Sequence, residues 1–316
     1  MEKRLQIIVI IIMTLVVFLN GCLDNTKDGE PQGNIPDENG AGYQIISLGT
    51  INDNAAKYIE LLQPTADYIA AKLSDNETQY IGKVVVVKTE VDMSGLIINQ
   101  EVDLFFGDSF KNVFIAENSG SVPFLRRWQQ GGAEHHSVFI VKNNSAISSL
   151  DDFVGKTIAF ENSESITGYL LPKAYLIDYL LREGFNESQT IKENNVTYVF
   201  KVVFSEENQN TVSWVLEGKV DIGALSNLYI EDQPESIKGE LKIVNRTIDV
   251  PRQMVSYRSE LDPDLVERVA HIFLDMDKDE EGIEILQNFE NTTKYDEIPN
   301  AYELFSAIDK MLTLLE

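Results

Sequence analysis

Residues Lys156 to Pro172 have the sequence KTIAFENSESITGYLLP, an apolar run followed by a segment that is rich in hydroxyl side chains. The first part is typical of a β-strand, and Ser165, Thr167 and Gly168 stand where a helix is expected to begin. The first N–H groups of a helix have no partner within it, so small hydroxyl residues there can form an ordinary N-cap or can leave room for an anion. The segment alone is compatible with both interpretations. Pro172 lacks the N–H that an unbroken helix would need, so the first turn is expected to be kinked or separate from the helix proper.

Strands and helices alternate on both sides of this segment. Apolar runs typical of strands are YQIISLG, KVVVVKT and VDLFFGD upstream, and TYVFKVVF and KVDIGAL downstream, with helical spacing between them. Continuous Val, Ile, Leu and Phe strands between helices predict an α/β protein whose parallel strands are covered on both faces. The residues between VDLFFGD and EHHSVFIVK show no regular pattern, and the tail from Asp262 is predicted to be mostly helical.

The alternation restarts near residue 136 and a strand returns near Val250, which predicts two lobes joined by two crossover strands. Lobe I is assigned to residues 43–135 together with 251–316, and lobe II to residues 136–250. Ligands of such sheets bind in the crevice at the carboxyl ends of the strands. The loops that follow the strands are therefore the places to look for a site.

The N-terminus has the features of a secretory signal peptide. Two basic residues precede an apolar run from Leu5 to Leu19, which is shorter than the ~20 residues that a membrane-spanning helix needs. Cys22 follows this run and is the only cysteine of the chain. We predict a signal peptide over 1–21, then a lipidated Cys22 within a flexible linker over 22–42. The alternative is an uncleaved anchor, and both place the body at the extracytoplasmic face of the cell membrane.

Composition and motifs argue against two classes of function. The chain has 51 acidic and 26 basic residues and a formal net charge of −25, whereas nucleic acid is bound through clustered Lys and Arg. The histidines His135, His136 and His271 belong to no HExxH or Cys/His cluster, and no Gly-x-Ser-x-Gly, GxGxxG or Walker motif is present. The sequence therefore predicts no nucleic-acid partner, no catalytic residues, no metal and no cofactor.

The longer segment SLDDFVGKTIAFENSESITGYLLPKAYL resembles the signature of the phosphonate, phosphite and phosphate substrate-binding proteins of ABC importers. That signature has Ser-Leu-x-Asp-Leu-x-Gly-Lys, a strand ending in Ala-Phe, and then Ser-Thr-Ser-Gly-Tyr-x-x-Pro. The resemblance covers roughly Gln44 to Ile308 and implies a type II periplasmic-binding fold, in which two lobes close on a ligand about a hinge. Further segments similar to the family follow in the same order: LLQPTADYIAAKL, VDLFFGDSF, EHHSVFIV, NQNTVSWVLEGKVDIGAL and TTKYDEIPNAYELF.

The resemblance also implies a set of ligand-binding residues. Ser165 and Thr167 match the family's two serine positions. With the N–H groups of Ile166, Thr167 and Gly168, they would hold the oxygens of a phosphonate-like group. Ile166 stands in place of a threonine, so one hydroxyl is lost, and Asn208 stands where the family has a histidine. Further candidates in loops after strands are Asn52, Asp108, Ser109 and Asn227.

Two carboxylates, Glu161 and Glu164, flank the predicted anion cradle. One interpretation is that they face water or favour the start of the helix electrostatically. The other is that one of them recognises an amino group on the ligand, as an aminoalkylphosphonate would require. The sequence leaves both open.

The resulting prediction is a membrane-tethered, monomeric solute-binding protein of an ABC importer. It would bind phosphonate, phosphite or phosphate between its lobes and dock on a permease and ATPase complex. The alternatives are a binding protein for sulfonate, nitrate or another small solute, and a sensory receptor. An enzyme on a related fold, porphobilinogen deaminase, anchors its cofactor through a cysteine, which the folded body of this chain lacks.

Overall fold

The computed structural model describes residues 43–184 and 199–315. The predicted signal peptide, Cys22 and the linker lie outside these residues. Within them, no helix is both long and apolar enough to cross a bilayer. The strands are β1 (Tyr43–Ile51), β2 (Gln79–Val87), β3 (Leu104–Gly107), β4 (Val122–Gln129), β5 (Glu134–His135), β6 (Ser137–Lys142), β7 (Thr157–Phe160), β8 (Lys201–Phe204), β9 (Ile222–Ser226), β10 (Leu241–Arg246), β11 (Val250–Pro251), β12 (Gln253–Tyr257) and β13 (Thr292–Glu297).

Helices connect most of these strands, so the α/β class predicted from the sequence is confirmed. They are α1 (Ala55–Leu73), α2 (Glu90–Ile98), α3 (Ser109–Ser119), α4 (Leu171–Arg182), α5 (Asn208–Glu217), α6 (Asn227–Glu231), α7 (Glu235–Lys238), α8 (Pro263–Asp275), α9 (Glu280–Asn288) and α10 (Ala301–Leu315). Single 3₁₀ turns at Leu150–Phe153 and Met276–Lys278 and a π-helical turn at Ile166–Leu170 complete the described secondary structure.

The first sheet has the strand order β13-β4-β12-β3-β1-β2. β1 pairs in parallel with β2 and β3, as the apolar strand pattern predicts. However, β12 runs antiparallel to β3 and β4, and β13 runs antiparallel to β4. The sheet is therefore mixed: the predicted parallel strands are present, and the strands that enter the sheet late in the chain run antiparallel, because they arrive without a helical crossover from a neighbouring strand.

The second sheet has the strand order β10-β6-β9-β7-β8. β7 is parallel to β8 and β9, whereas β6 is antiparallel to β9 and β10. The chain passes between the two sheets at β5 and again at β11. These two segments pair with each other, Val250 opposite His135 and Pro251 opposite Glu134, as two adjacent crossover strands.

Separate apolar clusters hold the two sheets. Ile46, Leu48 and Phe273 are fully buried where α1, α8 and α9 pack on the first sheet, and Phe139, Phe153 and Phe160 are fully buried in the second. Burial of side chains of this size stabilises a fold by about 1.5–3 kcal/mol each. A further cluster joins the two parts at α10, where Phe110 of α3, Leu171 of α4 and Ile308 of α10 pack together with Val250 of β11.

Candidate functional site

The segment after β7 forms a π-helical turn, Ile166–Leu170, that leads into α4 at Leu171. Ser165 caps this turn: its Oγ accepts from the N–H of Gly168 at 2.9 Å, and its carbonyl accepts from Tyr169 and Leu170. Pro172 lies at the first positions of α4, where a missing N–H costs nothing. The turn runs directly into α4 but is π-helical and not α-helical, so the predicted irregularity of the first turn is a local distortion and not a break in the helix. π-helical turns are frequent at functional sites.

Aromatic packing fixes this turn on the second sheet. The ring of Tyr169 contacts Phe160 of β7, with ring centroids 5.3 Å apart and an interplanar angle of 80°. It also contacts Phe204 of β8, at 5.1 Å and 64°. Edge-to-face pairs of this kind are favourable, so the turn is held rigidly against the ends of two parallel strands.

Glu161, the first residue after β7, places its carboxylate in front of the turn. Ser165 Oγ donates to Glu161 Oε2 at 2.5 Å, and Asn208 Nδ2 donates to Glu161 Oε1 at 3.1 Å. Ser165 and Asn208 are therefore brought together, as expected for residues that share an anion. The anion that they hold here is a carboxylate of the protein itself.

Backbone hydrogen bonds also hold Glu161, and the backbone of Gly168 lies directly against its side chain. Glu161 N–H donates to the carbonyl of Gly168 at 3.0 Å, and Glu206 N–H donates to the carbonyl of Glu161 at 2.7 Å. A Cβ on Gly168 would lie 2.4 Å from both Cβ and Oε2 of Glu161. Only glycine therefore permits this arrangement.

Asn208 is the first residue of α5, and its side chain has one satisfied and one unsatisfied end. Nδ2 donates to Glu161, whereas Oδ1 is buried and has no hydrogen-bond partner among the described residues. An unsatisfied buried acceptor is costly and calls for an explanation. It lies at the site that the sequence predicts.

A cavity of about 860 Å³, here called the cleft cavity, lies between elements of the two sheets. It brings together Asn52 and Asp108, which follow β1 and β3, with Ile166 and Glu164 of the loop after β7. Ser165, Thr167 and Gly168 do not line it. The full lining is Ile51, Asn52, Asp53, Lys88, Glu90, Asp108, Phe110, Lys111, Phe114, Glu117, Asn118, Ser163, Glu164, Ile166, Leu170, Leu312, Thr313 and Leu315.

The role of Ile166 becomes clear from its packing. Its side chain belongs to the apolar cluster of α3, α4 and α10, beside Leu170 and Leu312. The threonine hydroxyl that the family has at this position is replaced here by an apolar contact with the C-terminal helix. Thr167 is buried, at 7% exposure.

The cleft cavity is acidic. Five carboxylates line it (Asp53, Glu90, Asp108, Glu117 and Glu164), against the two ammonium groups of Lys88 and Lys111. Asp108 caps α3 and forms an ion pair of 3.0 Å with Lys111. Burial acts to lower the pKa of Lys111, but the charge and hydrogen bond of Asp108, with Glu90 and Glu164, outweigh it and raise that pKa, so the ammonium stays charged.

A second cavity, of about 270 Å³, lies at the carboxyl ends of β1 and β3 and shares Asn52, Asp108 and Lys111 with the cleft cavity. Its wall includes Arg127 of β4, which is 3% exposed and forms an ion pair of 2.8 Å with Glu290. Sequence reasoning missed Arg127. The signal was an arginine pair inside the apolar-flanked run VPFLRRWQ, where alternation sends one of the two inward.

Ser165, Thr167, Gly168 and Asn208 line neither cavity, and the same holds for two further predicted residues, Ser109 and Asn227. Ser109 is fully buried, and its Oγ has no partner among the described residues. Asn227 accepts from the N–H of His136 at 2.9 Å and donates to Glu231 at 3.0 Å, so its side chain ties α6 to the start of β6. For both residues, ligand contact stays a prediction.

A comparison with models of known protein families identifies the family to which this sequence is similar. The model of the phosphonate-type periplasmic substrate-binding proteins of ABC transporters matches residues 50–302. The phosphate-import protein PhnD of Mycolicibacterium smegmatis is 24% identical over 208 residues, which are 62% of this chain and 63% of that protein. The match thus spans less than two thirds of the relative's length.

Solved structures share the fold. XAC2383 from Xanthomonas citri, bound to a chloride ion, superposes with a TM-score of 0.65 at 25% identity, covering 86% of this chain and 98% of the other. PhnD1 from Prochlorococcus marinus, in complex with methylphosphonate, has a TM-score of 0.51 at 18% identity, with coverage of 86% and 98%. The predicted bilobal fold of the periplasmic binding proteins is therefore confirmed.

Proposed function

The chain belongs to the family of phosphonate-type periplasmic substrate-binding proteins of ABC transporters, and we propose that it binds a phosphonate-like oxyanion between its two lobes. The ligand would be a phosphonate, phosphite or phosphate. Its oxygens would be held at the turn after β7, and the rest of the ligand would extend into the cleft cavity. The lobe boundaries near residues 135 and 250 are part of this proposal.

The observation that carries the proposal is the convergence of Ser165 Oγ and Asn208 Nδ2 on one carboxylate. These two donors come from different helical elements and meet at the carboxyl end of β7, where ligands of α/β sheets bind. Oxygens of a carboxylate and of a phosphonate accept the same charge-assisted hydrogen bonds. Thr167 and Gly168 belong to the same turn and complete the proposed cradle.

The acidic lining of the cleft cavity favours a ligand that carries a positive group beside its oxyanion. Glu164 is exposed and lines the cavity, whereas Glu161 is engaged with Ser165 and Asn208. Glu164 is therefore the carboxylate that would accept from an amino group of an aminoalkylphosphonate. Asn52 and Asp108 would contact the same end of the ligand from lobe I.

The wider role follows from the family. The protein would not be an enzyme but would deliver its ligand, as a monomer, to a permease and ATPase complex. A lipid on Cys22 would keep it at the extracytoplasmic face of the membrane. Mass spectrometry of the membrane-extracted protein tests this last point: the N-terminal peptide should begin at a diacylated Cys22, and a peptide that retains residues 1–21 would contradict it.

A thermal-shift panel tests the ligand class. Methylphosphonate, 2-aminoethylphosphonate, phosphite, phosphate, a sulfonate and nitrate are each added to the purified protein. A ligand at 100 times its Kd adds about 2.7 kcal/mol to the free energy of unfolding, so at least one phosphorus oxyanion should raise the Tm clearly. A shift from the sulfonate or nitrate with none from the phosphorus compounds would overturn the proposal.

A further inference from the structure

Glu161 holds the side-chain donors that the proposed ligand would need. Its Oε2 accepts from Ser165 Oγ at 2.5 Å and its Oε1 accepts from Asn208 Nδ2 at 3.1 Å. Each carboxylate oxygen thus takes one donor. An oxyanion at the same place would have to take both donors from Glu161.

The position of Glu161 is set by the backbone and not by its side chain alone. Its N–H bonds the Gly168 carbonyl, and its own carbonyl accepts from Glu206 N–H. The missing Cβ of Gly168 leaves the space in which the carboxylate lies. The side chain can rotate away about its own bonds, but the tether keeps the carboxylate at a high local concentration beside the donors.

We propose that Glu161 is a specificity-determining residue that acts as a built-in competitor for the oxyanion donors. This inference rests on the proposed function. A ligand binds when it displaces the carboxylate from Ser165 and Asn208. An anion with only two oxygens would form the same two hydrogen bonds, to Ser165 and Asn208, that Glu161 already forms. It therefore gains no binding free energy from these donors by replacing Glu161.

A tetrahedral phosphorus oxyanion can displace Glu161 because it offers a third oxygen and a larger charge. Its additional oxygen can reach donors of the turn that a carboxylate does not use, and charge-assisted hydrogen bonds strengthen with the charge of the acceptor. The displaced Glu161 then repels the ligand from close range. The residue therefore lowers the affinity for every oxyanion, and an anion whose other contacts do not offset the cost of displacing Glu161 does not bind.

Isothermal titration with methylphosphonate and with acetate tests this inference on the purified protein and on Glu161→Ala and Glu161→Gln. Glu217→Ala is the matched control, because it removes the same charge from the exposed end of α5, where Glu217 pairs with Lys219 and lies outside both cavities. We expect Glu161→Ala to lower the Kd for methylphosphonate at least ten-fold, and Glu217→Ala to change it less than three-fold. Acetate binding should become measurable only without the Glu161 carboxylate.

A double-mutant cycle with Ser165→Ala keeps the test independent of folding defects. In the native protein the ligand gains the Ser165 hydrogen bond only at the expense of Glu161. Ser165→Ala should therefore weaken methylphosphonate binding more in the Glu161→Ala background than in the native one. Melting curves identify any variant that does not fold, and Glu161→Gln, which keeps the shape of the side chain, replaces Glu161→Ala in that case.

The outcomes separate the inference from the proposed function. Equal or weaker methylphosphonate binding by both Glu161 variants would overturn the inference and leave the proposed function standing. Tighter methylphosphonate binding by the Glu161 variants than by the native protein would support the inference. If methylphosphonate, phosphite and phosphate bind neither the native protein nor the variants, both the function and the inference are wrong.

Discussion

Gly168 is the residue on which the geometry of the turn depends. A methyl group there would lie 2.4 Å from Glu161 Cβ and Oε2 and 2.7 Å from Ser165 Oγ, and Glu161 Cβ is close to the backbone and cannot move far. We predict that Gly168→Ala lowers the free energy of unfolding by about 1–3 kcal/mol, the usual cost of overpacking. Urea denaturation measures the change.

Gly95 provides the control for this substitution. It lies inside α2, and a Cβ there would meet nothing within 4 Å. Gly95→Ala should leave stability unchanged or raise it by about 0.5–1 kcal/mol, since alanine is the better helix former. Equal effects of the two substitutions would mean that the close contact at Gly168 does not exist.

Arg127 is the second residue whose surroundings allow a sharp prediction. It is 3% exposed, pairs with Glu290 at 2.8 Å, and donates to Thr292 Oγ1 at 3.0 Å. Arg127→Ala removes the cationic partner of the Glu290 carboxylate and should cost about 3 kcal/mol of stability. Arg182 is 63% exposed and pairs with Asp178 on the surface of α4, so Arg182→Ala should cost less than about 1 kcal/mol.

Sequence reasoning grouped some residues that the structure brings together, and it missed others for a physical reason. Ser165 and Asn208 were predicted to share an anion, and the structure brings them to one carboxylate. The position of Glu161 depends on its close approach to Gly168 and on a backbone hydrogen bond from Glu206. Both contacts form only in the folded chain, so sequence reasoning could not predict them. Arg127 was missed because a buried charge becomes acceptable only through a distant partner, Glu290.

At the scale of elements, the paired crossover strands carry a half-buried histidine, His135, whose Nε2 is buried. The pKa of His135 is lowered to about 4, mainly because its ring is buried, with the charges of Arg252 and His136 adding to the effect. The unfolded chain takes up this proton near pH 6.5. Between these values only the unfolded state is protonated, so stability is full above about pH 6.5 and falls as the pH drops toward 4.

This loss of stability at low pH leads to a measurable prediction for β5. Lowering the pH from 7 to 5 should destabilise the native protein, and His135→Leu should remove a part of that loss on the order of 1–2 kcal/mol. His271 is the control, because it lies exposed on α8 beside Glu267. If His135→Leu and His271→Leu show the same dependence on pH as the native protein, the burial of His135 is not what makes the crossover sensitive to acid.

The elements that sequence reasoning missed are those whose apolar pattern is interrupted. It predicted β1, α1, β2, α2 and β3, and it found no pattern where α3 and β4 lie. β4 carries two arginines among its apolar residues, and their charges are balanced by Glu290 and Asp296 from the far end of the chain. β13 was not predicted within the mostly helical tail, because its sequence TTKYDE gains strand character only by pairing with β4.

For the whole molecule, the sequence indicated two α/β units but not how their strands run. The predicted parallel strands are present, but each sheet also contains antiparallel strands, because β12 and β6 enter from the crossovers in the opposite direction. The contribution of α10 was also not anticipated. This helix packs against α3 and α4 in one apolar cluster and so links the two units beside the cleft cavity.

A crystal structure of the protein grown with methylphosphonate is the most direct test of the central claim, that an oxyanion binds at the turn after β7. We predict that the phosphonate oxygens lie within hydrogen-bond distance of Ser165 Oγ and Asn208 Nδ2, with the methyl group directed into the cleft cavity. Glu161 should then no longer contact those two donors. Methylphosphonate bound elsewhere, with the contacts of Glu161 to Ser165 and Asn208 intact, would contradict the claim.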